Sequence, residues 1–341
     1  MASPATPTVT PSITERVASS WHLFKVAFGV VRSEPALIGL TLLSLLASTA
    51  IFVALALAVG ALVIPATVGR LLAGALAGVD GVIVSTFLTI FSVVYGIAIS
   101  APLKAFFGGA IAYAAMERIE GRDPSIGSSM GKALSRVGAL FVFGVANGIV
   151  HTLTSVNVSS GDRPTIADQA ANAAKAAAAA LYALLTSLAL PAIMREKIGG
   201  SAAIGRSTSI IRAVWPQATA AGIGIGTITG IVSFLAFLPL VIAFFATFFG
   251  AATGVINPDG SQQIDTDALL AALPGLIPMA AICIPTALLI SAFGNLLQAV
   301  FNGALYLYAT TGKAGAFDPK DMAAAAVTTD GVVRPGAAQN T

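Results

Sequence analysis

Six long apolar stretches run through the 341-residue chain, and they constrain its fold more than any other feature. Most are long enough to cross about 30 Å of hydrocarbon as helices. With 56% hydrophobic and 10% charged residues, the chain has too little polar surface to coat a soluble globule of its size. We therefore predict an all-α polytopic membrane helix bundle with six transmembrane helices, near Pro35–Ile64, Val82–Met116, Gly138–Leu153, Ala170–Met194, Ala218–Gly250 and Ile277–Tyr308.

The membrane domain is predicted to cover residues 13–312, between a disordered leader (1–12) and a disordered tail (313–341) that are rich in small and polar residues. The leader lacks the basic and apolar regions of a cleavable signal peptide. The third span is the shortest. The second and sixth are too long for an upright crossing, so we expect them to tilt, to bend at Pro102 and Pro285, or to project into the cytoplasm.

Basic residues lie almost entirely in every second gap between the spans, beginning with the N-terminal segment. Because basic residues near span ends stay on the cytoplasmic side, this pattern predicts a multi-pass protein of the bacterial cytoplasmic membrane with both termini in the cytoplasm. The residues that carry it are Arg16, Lys25, Arg32, Arg118, Arg122, Lys132, Arg136, Arg195, Lys197, Arg206, Arg212, Lys313, Lys320 and Arg334. The net charge of +3 argues against nucleic acid as a partner. The expected partners are membrane lipids, other membrane proteins or a second copy of the chain.

A shift of 78 residues superposes similar residues at similar places in the predicted spans. The pairs are Ala114 and Ala192, Met116 and Met194, Gly121 and Gly199, Ile126 and Ile204, Gly127 and Gly205, Ser129 and Ser207, Gly144 and Gly222, and Gly148 and Gly226. This pattern predicts parallel hairpin repeats, each preceded by an amphipathic in-plane cytoplasmic helix. Apolar residues at helical spacing from Ile13 to Val31 indicate a weaker third copy.

Several polar residues fall inside the predicted spans, where they are costly and must face protein or water. Asn295, Gln298 and Asn302 form one stripe on the sixth span, and Asn147 and His151 lie one turn apart on the third. Such amides either line a wet path or pocket, or join helices by hydrogen bonds. Likewise His151 is either a proton relay or an interfacial side chain.

Lys104 follows Pro102 in the second span and is the remaining candidate for the polar path. It is either a contact for an anionic substrate or a snorkelling side chain near the cytoplasmic surface. Small residues at four-residue spacing predict close packing within the molecule, although association between copies stays open. They are Gly144, Gly148, Gly222, Gly226, Gly230, Ser44 and Ser48.

Literal matches to catalytic motifs do not predict catalysis. Gly127–Gly131 spells G-x-S-x-G, but no predicted strand precedes it, and the P-loop pattern that starts at Gly127 has one residue too few between its glycines. No His, Asp or Glu cluster has metal-ligand spacing, so we expect neither a metal nor another cofactor. Cys283 is the single cysteine, so no intrachain disulfide can form.

Three segments carry a resemblance to a known family. They are Ser20-Trp21-x-Leu23-Phe24-Lys25, then Phe106-Phe107-x-x-Ala110 running to Glu117-Arg118-x-Glu120-Gly121-x-Asp123-Pro124, and Ala304-Leu305-Tyr306-x-Tyr308-Ala309-Thr310. The chain resembles an uncharacterised family of six-span prokaryotic integral membrane proteins from about Ser19 to Gly312, and most closely from Glu120 to Pro124. Gly108 departs from the pattern, where asparagine is expected. The resemblance implies fold and location and carries no activity.

These observations lead to three hypotheses for function. The first is a non-enzymatic membrane protein that organises or assists other membrane or envelope components. The second is a small-solute or lipid transporter with a polar path lined by the third and sixth spans. The third is a membrane enzyme, which would have to draw its acid–base chemistry from Lys104, His151 and an acid such as Glu117.

Overall fold

The structure is a computed structural model that describes residues 25–72, 93–155, 165–213, 215–252 and 266–312, with 86, 90–91, 255–256 and 262–263. The chain forms two compact units. Among the described residues, one unit consists of those up to Gly222 and those from Leu296 onward, and the other lies within Ile223–Asn295. The predicted leader (1–12) and tail (313–341) lie outside the described residues.

The described part of the chain is almost entirely helical. A π-helical turn, Tyr95–Ser100, leads into helix α3, and β1 (Val255–Ile256) pairs antiparallel with β2 (Gln262–Gln263). The helices are α1 (25–33), α2 (Pro35–Leu72), α3 (Ala101–Ile119), α4 (Ile126–Leu134), α5 (Val137–Ser155), α6 (Ile166–Thr186), α7 (Ala189–Glu196), α8 (Gly200–Ala213), α9 (Trp215–Ala252) and α10 (Thr266–Thr311).

Six helical segments are long and apolar enough to cross a membrane: Pro35–Leu55, Tyr95–Ile119, Val137–Ser155, Ile166–Glu196, Thr229–Thr247 and Pro278–Thr311. Each overlaps one of the six predicted spans, so the prediction of an all-α protein with six membrane helices is confirmed. The third span, the shortest in the prediction, is a helix of 19 residues.

Local capping signals explain where several helices begin and end. Before α4, the Ser128 amide donates to Ser125 Oγ at 3.0 Å, and the Ser125 amide donates to Ser128 Oγ at 3.1 Å. Thr165 and Asp168 form the same reciprocal pair before α6. Gly121 follows the end of α3 with a φ of 81°, a left-handed conformation that a side chain would strain.

The second span changes its hydrogen-bond register just before Pro102. In the π-helical turn Tyr95–Ser100 the repeat is wider than in an α-helix, and the Ala101 amide donates to the Gly96 carbonyl. Because proline has no amide hydrogen, a helix that contains it loses one hydrogen bond. A π turn absorbs such an irregularity without ending the helix. We expected a tilt or bend at Pro102, and the structure has this register change there.

The fourth span is interrupted between Thr186 and Ala189, where α6 ends and α7 begins. Ser207 of α8 bridges the interruption, because its Oγ donates to the Leu185 carbonyl at 2.6 Å and accepts from the Leu188 amide at 3.1 Å. Ser207 and Leu188 are fully buried. Backbone groups away from water need a partner within the protein, so this one hydroxyl stabilises the interruption.

Helices α3 and α5 approach each other so closely that their backbones are nearly in contact. A methyl group on Gly144 would overlap the Pro102 Cα and lie 2.7 Å from the Pro102 nitrogen. One on Gly148 would lie 2.9 Å from the Ile97 Cα, at the π-helical turn. These contacts agree with the packing role predicted for Gly144 and Gly148.

A network of ion pairs joins the helix ends at one side of the larger unit. We call this side the charged end and define it by Glu34, Glu117, Glu120, Arg195 and Glu196. An Arg195 nitrogen lies 2.7 Å from a Glu120 oxygen, which joins α7 to the turn after α3. Glu34, which is buried, faces Arg118 at 3.7 Å.

Three further side chains extend the network. Arg122 pairs with Glu117 and Glu120, and its hydrogen bonds to Glu117 raise the pKa of the Arg122 guanidinium, which therefore stays charged. Tyr306 of α10 donates to Glu196 at 2.9 Å, and Arg206 of α8 donates to the same carboxylate at 2.8 Å. The family-like segment Glu117–Pro124 thus lies in a network that fixes several helices at one level.

The smaller unit contains parts of α9 and α10 that pack through small and hydroxyl-bearing residues. A methyl group on Gly294 would lie 2.7 Å from the Thr229 Cβ, and Ser233 Oγ lies 3.1 Å from Ser291 Oγ. The most apolar part of α9, within Thr229–Thr247, has no buried residue. Such an exposed apolar surface is expected where lipid is the solvent.

The structure reproduces some features of the predicted repeat. Ser129 and Ser207 are both fully buried, as are Met116 and Met194. The two serines differ in bonding, however, because Ser129 Oγ has no hydrogen-bond partner in the part of the chain that the structure describes. The repeat itself stays a prediction.

The in-plane position of the cytoplasmic helices also stays a prediction. On α4, Ser129 and Ala133 face inward while Ile126 and Leu134 are 40% and 64% exposed, as lipid-facing residues would be. Of the predicted N-terminal helix, residues 13–24 lie outside the described residues. Its continuation, α1, buries Ala27, Val30 and Val31.

Candidate functional site

A cavity of about 630 Å³ lies in the larger unit, between the π-helical turn with α3, helix α5 and helix α6. Its apolar wall consists mainly of small side chains. Ala101 and Ala105 come from α3, and Ala179, Ala180 and Ala183 from α6. Alanines on facing helices leave space between backbones that larger side chains would fill. The alanine-rich sequence of the fourth span thus accounts for the width of the cavity.

Polar side chains from all three helices line the same cavity. Lys104 comes from α3, Asn147 and His151 from α5, and Tyr182 from α6. We call it the Lys104 cavity and define it by these four residues. Ser100, Thr152 and Thr154 add hydroxyl groups, of which that of Thr154 donates to the Val150 carbonyl at 2.8 Å.

Two polar side chains of the cavity, those of Tyr182 and Lys104, lack partners within the described part of the protein. Tyr182 Oη is buried and has no hydrogen-bond partner there. Lys104 is exposed to the cavity and forms neither an ion pair nor a hydrogen bond with any described residue. Buried polar groups normally have partners, so an unpartnered set around an open space is typical of a site that a ligand completes.

The cavity lies deep within the predicted membrane region. Lys104 is 13 residues from Glu117 along its helix, and His151 is 14 residues from Val137, so each lies about 20 Å along its helix from that residue. Both lie within segments that are long and apolar enough to cross a membrane, Tyr95–Ile119 and Val137–Ser155. An ionisable residue inside such a segment is a candidate functional residue. The alternative for Lys104, a snorkelling side chain near the cytoplasmic surface, stays a prediction.

Comparison with known proteins bears on the chain as a whole. Residues 85–317, more than half of the chain, match a family of unknown function, DUF6159. The chain belongs to this family. No curated protein and no solved structure matches it significantly. The predicted resemblance to an uncharacterised family is confirmed, and the prokaryotic, six-span character of the other DUF6159 members stays a prediction. The matched region contains every residue of the Lys104 cavity.

Of the six residues predicted for the polar path, the structure brings together Lys104, Asn147 and His151. The other three lie elsewhere in this DUF6159 protein. Gln298 donates to Asn302 at 3.0 Å along α10, and Asn295 is exposed and belongs to the smaller unit. No lining residue among those described comes from α10. The cavity therefore joins the second, third and fourth spans, whereas the sequence predicted a path along the third and sixth.

The remaining predicted packing residues are placed as follows. Ser44 and Ser48 of α2 are half-buried. Gly222 and Gly226 fall where only the backbone of α9 is described. Gly230 is exposed, and a methyl group there would meet no atom within 4 Å, which differs from the predicted packing role. In the smaller unit, the close approach between α9 and α10 involves Gly294 instead. Gly294 faces Thr229, whereas Gly230 faces away from α10.

Sequence reasoning missed the contribution of the fourth span. Tyr182 follows the alanine run Ala176–Ala180 and is the only aromatic residue of α6. A lone tyrosine among alanines is a signal that something other than lipid faces it, because its hydroxyl needs a partner. The signal was present in the sequence, but it did not indicate which span lies opposite.

Proposed function

We propose that this protein is a non-enzymatic membrane carrier that binds a small solute or lipid in the Lys104 cavity. The observation that carries the proposal is the convergence of Lys104, Asn147, His151 and Tyr182 on one cavity deep in the bundle. The volume falls within the range of about 300–1,000 Å³ that is usual for small-molecule sites. An apolar wall with few polar groups is the usual composition of such sites.

The non-enzymatic part of the proposal rests on the lining. Among the described residues that line the cavity there is no carboxylate and no thiol. Lys104 and His151 therefore have no carboxylate beside them, among the described lining residues, to orient or activate a catalytic group. The basic pattern of the sequence further supports a location in the bacterial cytoplasmic membrane with both termini in the cytoplasm. Membrane lipids are then the immediate partners.

The competing proposal is a protein that organises other membrane or envelope components. It is supported by the hydrogen bond from Gln298 to Asn302, in which two amides of one helix partner each other without a ligand. The two proposals differ in what they require of the cavity. A carrier needs water to reach it from at least one side, whereas an organising protein needs no aqueous access.

Thiol labelling distinguishes the two. In a Cys283→Ala background, single cysteines at Asn147 and Thr152 should react with a membrane-impermeant maleimide, because both positions line the cavity. Ile149→Cys is the matched control: Ile149 lies at the same depth on α5, is 43% exposed and does not line the cavity, so it should be protected by lipid.

A cysteine at Asn302 should be protected as well, because this half-buried side chain lies outside the cavity. Labelling is to be measured from each side of the membrane separately. Reaction at Asn147 and Thr152, with protection at Ile149 and Asn302, is the expected result. Protection at Asn147 and Thr152 would contradict the carrier and leave the organising role.

A further inference from the structure

The charge balance of the Lys104 cavity narrows the class of ligand, on the basis of the carrier function proposed above. Lys104 is the only formally charged side chain among the described lining residues. An ammonium group in the interior of a membrane is costly unless an anion faces it. No described residue provides that anion. A negatively charged ligand would provide it.

The single positive charge of Lys104 also indicates how many negative charges the ligand carries. One ammonium neutralises one negative charge, and a second negative charge would face no further formally charged cation among the described lining residues, which is unfavourable in a medium of low dielectric constant. Asn147, His151 and Tyr182 bring further polar groups to the same space. The Asn147 amide and the Tyr182 hydroxyl can donate hydrogen bonds to the oxygens of an anionic head group.

The rest of the cavity is suited to an apolar chain. Ala179, Ala180 and Ala183 form one wall, and Phe143 and Leu190 also contribute. A volume of about 630 Å³ suits one chain rather than the two chains of a diacyl lipid. A small hydrophilic anion would leave this wall without contacts.

We propose that the Lys104 cavity binds a single-chain, monoanionic amphiphile, with a carboxylate head group paired to Lys104 and its chain along the alanines of α6. Long-chain carboxylates are the simplest ligands of this class. Tyr182 Oη, which lacks a partner among the described residues, then donates to the head group.

The test uses the purified full-length protein in a non-ionic detergent and a fluorescent long-chain fatty acid as the probe. Displacement is measured with an unlabelled long-chain fatty acid, the alcohol and the phosphate monoester of the same chain, and a short-chain carboxylate. The long-chain fatty acid should displace the probe best. Removing its charge-assisted hydrogen bond, as in the alcohol, should weaken displacement about 10- to 100-fold.

Variants then locate the site. Lys104→Met should weaken probe binding about 10- to 100-fold, whereas Lys104→Arg should retain binding within about threefold, because the charge is kept. Lys132→Met is the control, since Lys132 lies over the Tyr113 ring and does not line the cavity. Tyr182→Phe removes a hydroxyl that has no partner among the described residues, so the variant should fold normally and weaken binding several-fold.

Each contrary outcome overturns a defined part of the inference. Equal displacement by the alcohol, or unchanged binding in both Lys104→Met and Tyr182→Phe, would overturn the anionic head group. Better displacement by the phosphate monoester would overturn the single charge. Equal displacement by the short-chain carboxylate would assign the site to a soluble anion. In all three cases the carrier function would stand if Asn147→Cys and Thr152→Cys still reacted, so the two proposals fail separately.

Discussion

Replacing Gly144 with alanine is expected to destabilise the protein by about 1–3 kcal/mol and to disturb the cavity beside it. The added methyl group would overlap the Pro102 Cα and lie 2.7 Å from the Pro102 nitrogen and 2.9 Å from the Ala101 carbonyl oxygen. All three atoms are backbone, so no side chain can rotate aside. Helices α3 and α5 would have to separate, although alanine is the better helix former.

The control for this prediction is on the same helix. Gly138 is exposed, and a methyl group there meets no atom within 4 Å among the described residues. Gly138→Ala should therefore leave stability unchanged or raise it slightly, because alanine favours the helix. The measurement is the midpoint of thermal unfolding in detergent, together with affinity for the fatty-acid probe. Equal midpoints for the two variants would show that α3 and α5 are not in backbone contact at Gly144.

Replacing Ser207 with alanine is the second change with a large expected effect, a loss of about 1–3 kcal/mol of stability. Its Oγ partners the Leu185 carbonyl and the Leu188 amide, and both backbone groups would be left unpaired where α6 ends. Ser207 is fully buried, so water cannot replace the lost bonds without opening the packing around α8. The fourth span should therefore lose order at its interruption first.

Ser129 offers a matched control at the equivalent position of the predicted repeat. It is as buried as Ser207, but its hydroxyl has no hydrogen-bond partner in the described structure. Ser129→Ala should therefore cost nothing or stabilise the protein, because a buried hydroxyl without a partner is unfavourable. Unfolding midpoints of both variants, with hydrogen exchange of the Leu188 amide, are to be measured. A comparable loss in both would mean that Ser207 contributes burial and not hydrogen bonds.

The sequence was sufficient to predict the six membrane helices, because their apolar length depends on local composition alone. It also predicted that Gly144 and Gly148 allow close packing, since a small residue on every turn has this consequence whatever the partner helix is. What it could not provide was the identity of that partner. Gly144 approaches the backbone of Pro102, and Gly148 approaches the backbone of Ile97. Nothing in the spacing of the glycines indicates these two neighbours.

The polar residues show the same limit of sequence-based prediction, because the sequence does not indicate which helices are neighbours. Lys104, Asn147 and His151 were recognised one span at a time, but their meeting with Tyr182 depends on which helices are neighbours. The stripe Asn295, Gln298 and Asn302 shows the converse. Gln298 and Asn302 are four residues apart, so one amide can bond the other along its own helix. A polar stripe therefore need not face a cavity.

The interruption of the fourth span has a partial signal in its own sequence. Pro191 lies four residues after Ser187, has no amide hydrogen to donate to the Ser187 carbonyl, and its ring would clash with that carbonyl in a continuous helix. The residue that completes the interruption has no such signal. The interruption depends on a hydroxyl contributed by Ser207, about 20 residues later in the chain. Such tertiary side-chain capping has no local signature.

The measurement that tests the account most directly is an electron cryo-microscopy map of the full-length protein in lipid nanodiscs, at a resolution that shows side chains. We predict that Lys104, Asn147, His151 and Tyr182 surround one cavity between the second, third and fourth spans, and that elongated density extends from Lys104 along the alanines of α6. A map in which α6 packs directly against α3 and α5, with Lys104 directed away from Asn147 and His151, would contradict it.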